Sequence, residues 1–245
     1  MITIKLMGGL GNQMFQRAYG LTLAKAGYQV AFNSAALTQP DRGYALSEFG
    51  WLPLSTKKQP AIEEQGIRFQ ADLLAPPDGS VMVGYWQSEK YFSHIANEVR
   101  RAFIFRRYAL RSKGTIAVHV RRGDYVNLQH FHGIPERDWY IRAVDTVLNK
   151  RGNDKTIYVV SDDSQWCLDN LPMHWHVVGG IDKYHDMQII SVCEHAVISN
   201  SSFSWWGAWL GDGDPQRIVV APKRWYAAPE MQDDQDIVPE RWLRL

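Results

Sequence analysis

The first 32 residues alternate between two short apolar runs and one helix-like segment, and this order constrains the fold more than any other feature. "ITIKLM" reads as a strand, "GGLGNQ" as a glycine-rich turn, "MFQRAYGLTLAKAG" as a helix and "YQVAF" as a second strand. A strand, a turn, a helix and a strand in this order are typical of a βαβ unit with parallel strands. The chain is therefore predicted to be an α/β protein.

The same alternation returns in the second half of the chain. Strands are predicted at "TIAVHV", "TIYVVS", "WHVV", "AVIS" and, as the last one, "RIVVAP", and helices at "RDWYIRAVDTVLNK", "QWCLDN" and "DMQIISVCEHA". In the first half, "GYWQSEKYF" opens a predicted helix through Phe103, because Phe92, Ile95, Val99 and Phe103 repeat at helical spacing. Residues 37–83 are rich in proline, glycine, serine and charge, and no element is assigned there.

These elements group into two α/β units with a boundary near residues 104–114. Two such units are expected to leave a cleft between them. Ligands of open parallel sheets bind beyond the carboxyl ends of the strands. The loops that directly follow the strands are therefore the candidate functional segments.

The composition excludes several classes of partner. The 245 residues include 27 Lys and Arg and 26 Asp and Glu, a formal net charge of +1, so no surface for nucleic acid is indicated. The two cysteines, Cys167 and Cys193, form neither a close metal-binding pair nor a disulfide framework, and reduced thiols are expected. Because the sequence shows no signal-like leader and no apolar run of 18 residues, we expect a cytoplasmic protein, with peripheral attachment at the inner face of the membrane left open.

The first candidate loop is the run from Gly8 to Gln13, which leads into a predicted helix. Glycines let the backbone approach a ligand closely, and the free N–H groups of a helix start favour an anion. The pattern is neither G-x-G-x-x-G nor a P-loop. A plain tight turn is the alternative, but the amide side chains of Asn12 and Gln13 favour contact with a polar ligand.

The second candidate loop is "HVRRGD", residues 119–124, at the end of a predicted strand. Alternation along a strand places His119 and Arg121 on one face and Arg122 on the other. An arginine at a strand end suits a phosphate because its planar fork donates two parallel hydrogen bonds. The alternative is an arginine that Asp124 holds in a structural ion pair, and one arginine can serve each purpose.

The third candidate loop runs from Asn200 to Gly207, "NSSFSWWG". Small hydroxyl side chains at a helix start cap the helix and can donate to phosphate oxygens. Trp205 and Trp206 are interpreted as packing residues in preference to platforms for a sugar. Asp162-Asp163 is interpreted as a helix N-terminus in preference to a metal site, and "GDGDP" at 211–215 as a turn.

Taken together, the loops resemble the family 11 glycosyltransferases, the α-1,2-fucosyltransferases, and in particular the bacterial type. The matching stretches are "GGLGNQMFQ", "GYWQSEKYF", "HVRRGDY", "VVSDD", "DMQIISVCEHAVISNSSFSWWGAWL" and "APKRWY", which occur in the order of the family. The resemblance implies a GT-B fold of two Rossmann-like domains that face each other across a cleft. Residues 1–105 would form the acceptor side and residues 106–245 the domain that holds the donor, GDP-β-L-fucose.

The resemblance also implies an inverting transfer that needs neither a metal ion nor a cofactor. Arg121 would grip the β-phosphate of the donor and stabilise the departing GDP, and Arg122 would support it or the geometry of the motif. A fixed guanidinium aimed at the leaving diphosphate lowers the barrier without gaining or losing a proton. His119 and Asp186 would hydrogen-bond the guanosine end.

Further roles are implied for the first and third loops. Asn12 and the backbone amides of Gly9 and Gly11 would face the diphosphate and the fucose. Ser201 and Ser202 would contact phosphate oxygens. Asn12 thereby joins the two arginines of the second loop among the catalytic candidates.

The group that deprotonates the acceptor hydroxyl is left open. Asp124, His130, His132 and Glu136 lie in or just after the "HVRRGDY" motif. The family expectation for the acceptor is a terminal galactose on an oligosaccharide or a lipid-linked glycan. The rival functions are a GT-B transferase that uses another nucleotide sugar, a protein O-fucosyltransferase-like enzyme, and a catalytically silent protein that binds a nucleotide sugar.

Overall fold

The computed structural model describes residues 1–38, 43–106, 112–231 and 233–245. These residues divide into two compact units. The first unit comprises Met1–Arg106 and Asp233–Pro239, and the second comprises the described residues between 107 and 232 together with Glu240–Leu245. The expected boundary region, 104–114, falls partly on residues 107–111, which lie outside the described residues.

A short segment near the C-terminus, Asp233–Pro239, belongs to the first unit. The single boundary predicted from the sequence, after residue 105, did not include this return. Asp236 accepts hydrogen bonds from the backbone N–H of Phe69 at 3.1 Å and from Lys90 Nζ at 2.5 Å. Asp233 forms an ion pair with Arg68. These polar contacts over more than 140 residues of sequence fix Asp233–Pro239 to the first unit.

The first unit is built on a parallel sheet. Its strands are β1 (Ile2–Lys5), β2 (Val30–Asn33), β3 (Ala61–Glu63) and β4 (Val81–Val83), in the order β2-β1-β4-β3. Its α-helices are α1 (Leu10–Lys25) and α2 (Ala96–Ala102), and 3₁₀ turns lie at Ser47–Phe49, Ala71–Leu74, Glu89–Tyr91 and Ser93–Ile95. The first βαβ unit is therefore confirmed, and β3 and β4 fall in the segment for which no element was predicted.

The helix predicted from "GYWQSEKYF" through Phe103 is wrong in its length and right in its buried face. Two 3₁₀ turns precede α2, which covers only Ala96–Ala102. Phe92, Ile95, Val99 and Phe103 are nevertheless all buried, with exposed fractions of 3% or less. The helical spacing of apolar residues correctly indicated which side chains reach the core. The hydrogen-bond pattern differs, because the segment forms two 3₁₀ turns followed by a short α-helix and not one continuous α-helix.

The second unit is built on a parallel sheet of the classical nucleotide-binding order. Its strands are β5 (Ser112–Val120), β6 (Thr156–Ser161), β7 (His176–Val177), β8 (Cys193–Val197), β9 (Val219–Ala221) and β10 (Leu243–Arg244). Its helices are α3 (Gln129–His132), α4 (Arg137–Arg151), α5 (Ser164–Asn170), α6 (Lys183–Val192) and α7 (Ser202–Leu210), with 3₁₀ turns at Gly123–Leu128 and Pro229–Met231.

The strand order of this sheet locates its binding edge. The sheet runs β7-β6-β5-β8-β9-β10, so its chain order is 3-2-1-4-5-6 and the direction of winding reverses between β5 and β8. All pairs are parallel, and the carboxyl ends of all six strands therefore lie at one edge. In doubly wound sheets, ligands bind at this edge and at this reversal point. The predicted fold class, α/β with parallel sheets in two units, is confirmed.

Two predicted boundaries in the second unit are wrong. The helix predicted over "DMQIISVCEHA" ends at Val192, and residues from Cys193 onward form β8. "RIVVAP" supplies β9, but β10 at Leu243–Arg244 follows it and is the last strand. The apolar run from Met187 to Ile198 fits a buried helix as well as a buried strand, and periodicity alone does not divide it.

The packing interpretations are confirmed. Trp205 and Trp206 are fully buried, and Trp205 stacks parallel to Trp209 with ring centroids 6.1 Å apart. Cys167 and Cys193 are both buried and free. "GDGDP" forms a turn. Within the residues that the structure describes, no helix is both long enough and apolar enough to cross a membrane.

Candidate active site

The reversal point of the second sheet brings the second and third candidate loops into contact. His119, near the end of β5, has its Nδ1 2.8 Å from the hydroxyl of Ser199, just beyond β8. Tyr125 donates its hydroxyl to the backbone oxygen of Asn200 at 3.4 Å. The loop that holds the arginines and the loop that holds the serines therefore form one cluster at the carboxyl edge of this unit.

Arg121 is held by two carboxylates. Its Nη2 lies 2.5 Å from Asp124 Oδ1, and its Nη1 lies 2.8 Å from Asp162 Oδ2. The ion pair with Asp124, one of the two interpretations of this motif, is confirmed. The side chain of Arg121 is still 30% exposed. Because a guanidinium has five N–H donors, each terminal nitrogen keeps one further donor for a ligand.

Arg122 is held by residues that follow β6 and by α5. Its backbone N–H donates to Asp162 Oδ1 at 2.9 Å, and its Nε lies 3.2 Å from Asp163 Oδ2. Its guanidinium also lies over the ring of Trp166, 4.3 Å from the centroid. Asp163 caps α5 by accepting from the N–H of Trp166 at 3.1 Å, so the predicted helix N-terminus is confirmed. Arg122 thus supports the geometry of the loop that contains Arg121.

Gly123, between the arginines and Asp124, leaves room for one of these carboxylates. A β-carbon on Gly123 would overlap Asp162 Oδ2, the atom that pairs with Arg121. The glycine is therefore required by space at the ion pair, and its position in the motif follows from the contact between the ends of β5 and β6.

His119 is held uncharged by its surroundings. The residue is 4% exposed, and burial, followed by the nearby positive charge of Arg121, lowers the pKa of His119 to about 3. Its ring also packs against Phe203 at the start of α7, with ring centroids 5.4 Å apart. A neutral imidazole offers one donor and one acceptor, which suits hydrogen bonding to an uncharged ligand group.

The start of α7 lacks a capping hydrogen bond from its N-cap side chain. The N-cap residue is Ser201. The first intrahelical bond at this end runs from the N–H of Trp205 to the oxygen of Ser201 at 2.9 Å. The N–H groups of Ser202 and the next residues therefore belong to the free first turn of a nine-residue helix, where a negative charge is stabilised.

Asn200 organises the cluster, although the sequence gave no reason to single out its role. Its Nδ2 donates to the backbone oxygens of His132 at 2.7 Å, Gly133 at 3.3 Å and Trp225 at 2.9 Å. The residue is 3% exposed. One buried amide thus joins the loop after β8 to the segment before α4 and to the "APKRWY" motif after β9.

Asp186 lies at another strand end of the same edge. It is in the first turn of α6, after the end of β7, and its Oδ1 accepts from the N–H of Gly180 at 2.9 Å. Burial raises the pKa of Asp186. The hydrogen bond from Gly180 links Asp186 to the loop that follows β7. Its predicted contact with guanosine stays a prediction.

In the first unit, the glycine loop is held by amide side chains. Asn12 Oδ1 accepts from Gln87 Nε2 at 2.7 Å, which links the loop after β1 to the loop after β4. Gly9 is the N-cap residue of α1, and no atom would meet a β-carbon there within 4 Å. Gly11 lies inside the first turn of α1 and is buried. Gly9 thus lies at an open helix start, and the ligand contacts expected of Gly9, Gly11 and Asn12 stay predictions.

Gln13 does not offer its side chain to a ligand, although the sequence favoured such a contact. The side chain is fully buried, and its Nε2 donates to the backbone oxygens of Gly8 at 2.9 Å and Gly43 at 3.0 Å. Its Oε1 accepts from the N–H of Ala45 at 2.9 Å. Gln13 therefore braces the loop from inside, because its polar groups are already used by backbone.

The loop after β4 contains a strained residue that the sequence did not reveal. Trp86 has a φ of +48°, a backbone conformation that side chains other than glycine rarely adopt. Glu64 Oε2 accepts from the N–H groups of Tyr85 at 2.8 Å and Trp86 at 2.9 Å. Burial raises the pKa of Glu64. One carboxylate thus stabilises the turn whose next residue, Gln87, contacts Asn12.

The four candidate bases for the acceptor hydroxyl have different surroundings in the structure. Asp124 is engaged with Arg121, and the ring of His132 stacks on Tyr125 with centroids 3.9 Å apart. His132 and Glu136 also line a cavity of about 590 Å³ within the second unit, which His130 does not line. No group of three or more histidine, cysteine or carboxylate side chains that could hold a metal ion occurs in the described part of the chain.

The sequence profile of Glycosyl transferase family 11 matches residues 80–245. The chain is 30% identical over 289 aligned residues to an Escherichia coli alpha-1,2-colitosyltransferase, covering 100% of this chain and 98% of that protein. It is 25% identical over 256 residues to mouse galactoside alpha-(1,2)-fucosyltransferase 1, covering 86% of this chain and 64% of that protein. The crystal structure of POFUT1 in complex with GDP-fucose is 15% identical, with a TM-score of 0.48, and the match covers 90% of this chain and 97% of that one.

The fold and the family match define the class of protein as a glycosyltransferase. The profile covers more than half of the chain, and the colitosyltransferase aligns over all of it. This chain belongs to glycosyl transferase family 11, as the motifs in its sequence indicated.

Proposed function

We propose that this chain moves L-fucose from GDP-β-L-fucose to the 2-hydroxyl of a terminal galactoside, with inversion and without a metal ion. The single observation that carries the proposal is the contact between the arginine loop and the serine loop at the reversal point of the second sheet. These contacts join the loop that carries the part-exposed guanidinium of Arg121 to the loop that leads into α7. A guanidinium and a helix start both stabilise negative charge, and a departing nucleoside diphosphate carries such charge.

In the proposed mechanism, Arg121 neutralises the leaving diphosphate. Asp124 and Asp162 hold the guanidinium in place, and its remaining N–H donors would contact the diphosphate. The bond between the anomeric carbon and the phosphate oxygen breaks as negative charge grows on the diphosphate. An electrostatic clamp that is already oriented contributes most at this moment, because it needs no reorganisation. The acceptor hydroxyl attacks the anomeric carbon from the opposite face, which inverts its configuration, and the hydroxyl proton is lost to water or to one of the candidate bases as the new bond forms.

The guanosine end of the donor is proposed to lie toward β7. His119 stays uncharged at neutral pH and Asp186 lies in the first turn of α6, so both can hydrogen-bond the nucleoside. The hydroxyls of Ser201 and Ser202 and the N–H groups of their helix start would contact phosphate oxygens. Asn12 and the amides of Gly9 and Gly11 would contact the diphosphate and the fucose from the first unit.

A second candidate donor is GDP-L-colitose. It is favoured by the relative named alpha-1,2-colitosyltransferase, which aligns with the whole of this chain. The mouse relative is named as a galactoside alpha-(1,2)-fucosyltransferase, and both names contain the same linkage. The two donors share the nucleotide and differ in the sugar, so the proposed roles at the diphosphate hold for both.

Nucleotide binding and transfer test the proposal in sequence. GDP and GDP-fucose are expected to raise the thermal unfolding midpoint, while UDP and ADP leave it unchanged, because Asp186 and His119 are proposed to hydrogen-bond guanosine. The protein is then incubated with GDP-fucose or GDP-colitose and a panel of galactosides, and the product is analysed by mass and linkage. Equal stabilisation by UDP contradicts the guanosine role, and binding without transfer supports a silent nucleotide-sugar-binding protein.

The metal-independence of the reaction is tested by chelation. We expect EDTA at millimolar concentration to leave the transfer rate unchanged, because Arg121 and the helix start supply the positive charge at the diphosphate. Added Mg²⁺ or Mn²⁺ serves as the reciprocal arm. A loss of rate in EDTA that Mg²⁺ or Mn²⁺ restores contradicts the proposed clamp as the sole charge at the leaving group.

A further inference from the structure

A large cavity in the second unit lies outside the groups assigned to the donor. Its volume is about 590 Å³, a size that accommodates one or two sugar rings. Its wall is formed at the carboxyl ends of β8, β9 and β10 and at the start of α4. The lining residues used below are Glu136, Asp138, Arg142, Asn200, Lys223 and Arg224.

The cavity is built by two sequence motifs that the proposed donor site leaves unused. Asn200 donates to backbone oxygens of the "HGIPE" segment and of "APKRWY". The backbone oxygen of Phe131 also accepts from the N–H groups of Ala227 at 2.9 Å and Ala228 at 3.1 Å. Five hydrogen bonds thus hold the two segments in place around the cavity. Its shape is therefore determined by the fold of this unit.

The charged side chains of the wall are unbalanced. Arg142, Lys223 and Arg224 are exposed and form no ion pair with any carboxylate in the described ranges. On the acidic side, Asp138 pairs with Arg137 at 2.8 Å, which leaves Glu136 and the terminal carboxylate of Leu245 against the three cations. A concave wall with unneutralised cations raises the local concentration of an anionic ligand.

The position of the cavity along the sheet edge indicates which part of the substrate it meets. From one side of the sheet to the other, the strand ends carry Asp186 after β7, Arg121 after β5, Ser201 after β8 and then the cavity after β9. A nucleotide sugar laid along this edge, with guanosine at Asp186 and the diphosphate at Arg121, directs its sugar toward the cavity. The cavity therefore follows the point of transfer.

We propose that this cavity binds the acceptor glycan and selects one that carries an anionic group, such as a carboxylate, close to the galactose that receives the transferred sugar. The inference rests on the proposed function, since it assigns the acceptor of the same reaction, and it moves the acceptor from residues 1–105, where the family resemblance had put it, to the second unit. Arg142 and Lys223 pair with the anionic group, and Arg224 adds to the positive potential of the wall. The neutral part of the glycan occupies the remaining volume beside Tyr226 and Trp139.

Calorimetric titration without any donor tests the cavity directly. The probes are galactosyl-glucose, galactosyl-glucuronate and galactosyl-glucose 6-phosphate, which share the galactose and differ in the charge of the second sugar. The acidic probes are expected to bind roughly tenfold more tightly than the neutral one, in a salt-dependent manner. The carboxylate and phosphate arms show which anion the wall prefers.

Matched variants assign the effect to the cavity. Arg142→Ala and Lys223→Ala are each expected to weaken the binding of the acidic probes by roughly five- to tenfold and to leave the neutral probe unaffected. Arg151→Ala, at the opposite end of α4, and Lys113→Ala, near the start of β5, are exposed control substitutions that are expected to change nothing.

Each outcome bears on one proposal only. Equal affinity for the neutral and acidic probes, or equal losses in the control variants, overturns the anionic acceptor site. Failure of the proposed donor shows separately, as an absence of thermal stabilisation by GDP-fucose while the acidic probes still bind. All four substituted residues are exposed, so the folded state of each variant is confirmed by an unchanged unfolding midpoint.

Discussion

At the scale of single residues, the arginine loop combines charge, space and hydrogen bonding within six positions. Arg121 is paired with Asp124 and Asp162, Arg122 is anchored by Asp163, and Gly123 leaves room for the Asp162 carboxylate. This explains why glycine follows two arginines at the end of a buried strand. The motif therefore fixes the position of the Arg121 guanidinium and leaves space for the carboxylate of Asp162 that pairs with it.

Replacing the glycine tests this explanation. Gly123→Ala places a methyl group against Asp162 Oδ2, so the carboxylate moves and Arg121 loses one of its two anchors. We expect kcat to fall roughly 10- to 100-fold, since a small misplacement of a catalytic group has costs of this order. Because the displaced atom is the end of a side chain, the unfolding midpoint is expected to change little.

Gly213→Ala is the matched control, because no atom lies within 4 Å of a β-carbon there. The kinetic constants and the midpoint of both variants are measured side by side. Unchanged kcat in the Gly123 variant contradicts the role given to Asp162 in aiming Arg121.

His119 predicts a pH dependence of stability. Its pKa is lowered to about 3 in the folded protein from about 6.5 in an unfolded chain, so the unfolded state binds the extra proton between these values. Stability is therefore fully present above about pH 6.5 and is lost as the pH falls toward 3, with a slope of about 1.4 kcal/mol per pH unit from this residue. His195, whose pKa burial lowers to about 4, acts in the same direction.

Urea unfolding between pH 7.5 and pH 5 measures this slope. His119→Asn keeps a polar side chain next to Ser199 and removes the titration, so its acid slope is expected to be shallower than that of the parent protein. His94→Asn, at an exposed position, is the control. An acid slope in the His119 variant equal to that of the parent contradicts the buried neutral state of this histidine.

At the scale of elements, the two sheets place their functional loops in the same way. In the second unit the loops after β5 and β8 meet through His119 and Ser199, and in the first unit the loops after β1 and β4 meet through Asn12 and Gln87. Each meeting point lies between neighbouring strands of a parallel sheet. In both units, the polar residues therefore lie on loops that follow neighbouring parallel strands.

The loop after β4 depends on a single buried carboxylate. Glu64→Gln replaces an acceptor that serves two backbone N–H groups with an amide that has one carbonyl oxygen and no charge. We expect a loss of roughly 1–3 kcal/mol of stability, the usual effect of weakening charged hydrogen bonds to buried groups. Because Trp86 then relaxes from its positive φ, the contact between Gln87 and Asn12 weakens and KM rises.

Glu63→Gln is the matched control at the neighbouring position, because Glu63, the last residue of β3, is exposed. The unfolding free energy and KM of both variants are compared at neutral pH. Equal stability of the Glu64 and Glu63 variants contradicts the assignment of Glu64 as the support of the strained turn.

Sequence patterns found the elements with strong periodicity and missed those defined by contacts. The three candidate loops followed from glycines, arginines and serines placed after apolar runs, and α4 and β6 followed from their clear periods. Strands β3 and β4 have three residues each, too few for a period to register. The roles of Glu64 and Asn200 depend on partners 21 or more residues away, which no local pattern encodes.

At the scale of the whole molecule, the chain is a family 11 glycosyltransferase made of two α/β units, each with a parallel sheet. The proposed division of labour assigns the donor nucleotide to the second unit and a share of the diphosphate and sugar to the first. In this proposal, the guanosine, diphosphate and acceptor groups lie along one edge of the second sheet, in the order of its strands from β7 to β10.

Hydrogen exchange of the full-length chain tests this arrangement. GDP is expected to protect backbone amides in residues 119–124, 179–186 and 199–204, because these segments carry the proposed nucleotide contacts. GDP-fucose is expected to add protection in residues 8–13. Protection by GDP that is confined to the first unit contradicts the assignment of the donor to the second.

The central claim is that the guanidinium of Arg121 stabilises the departing nucleotide, and single-turnover transfer at saturating donor tests it most directly. Arg121→Ala is predicted to reduce the rate of fucose transfer to the acceptor by at least about 100-fold, a loss of roughly 2.7 kcal/mol of transition-state stabilisation, while GDP still raises the unfolding midpoint. A variant that is folded, binds GDP and turns over at a rate near that of the parent protein would contradict the account.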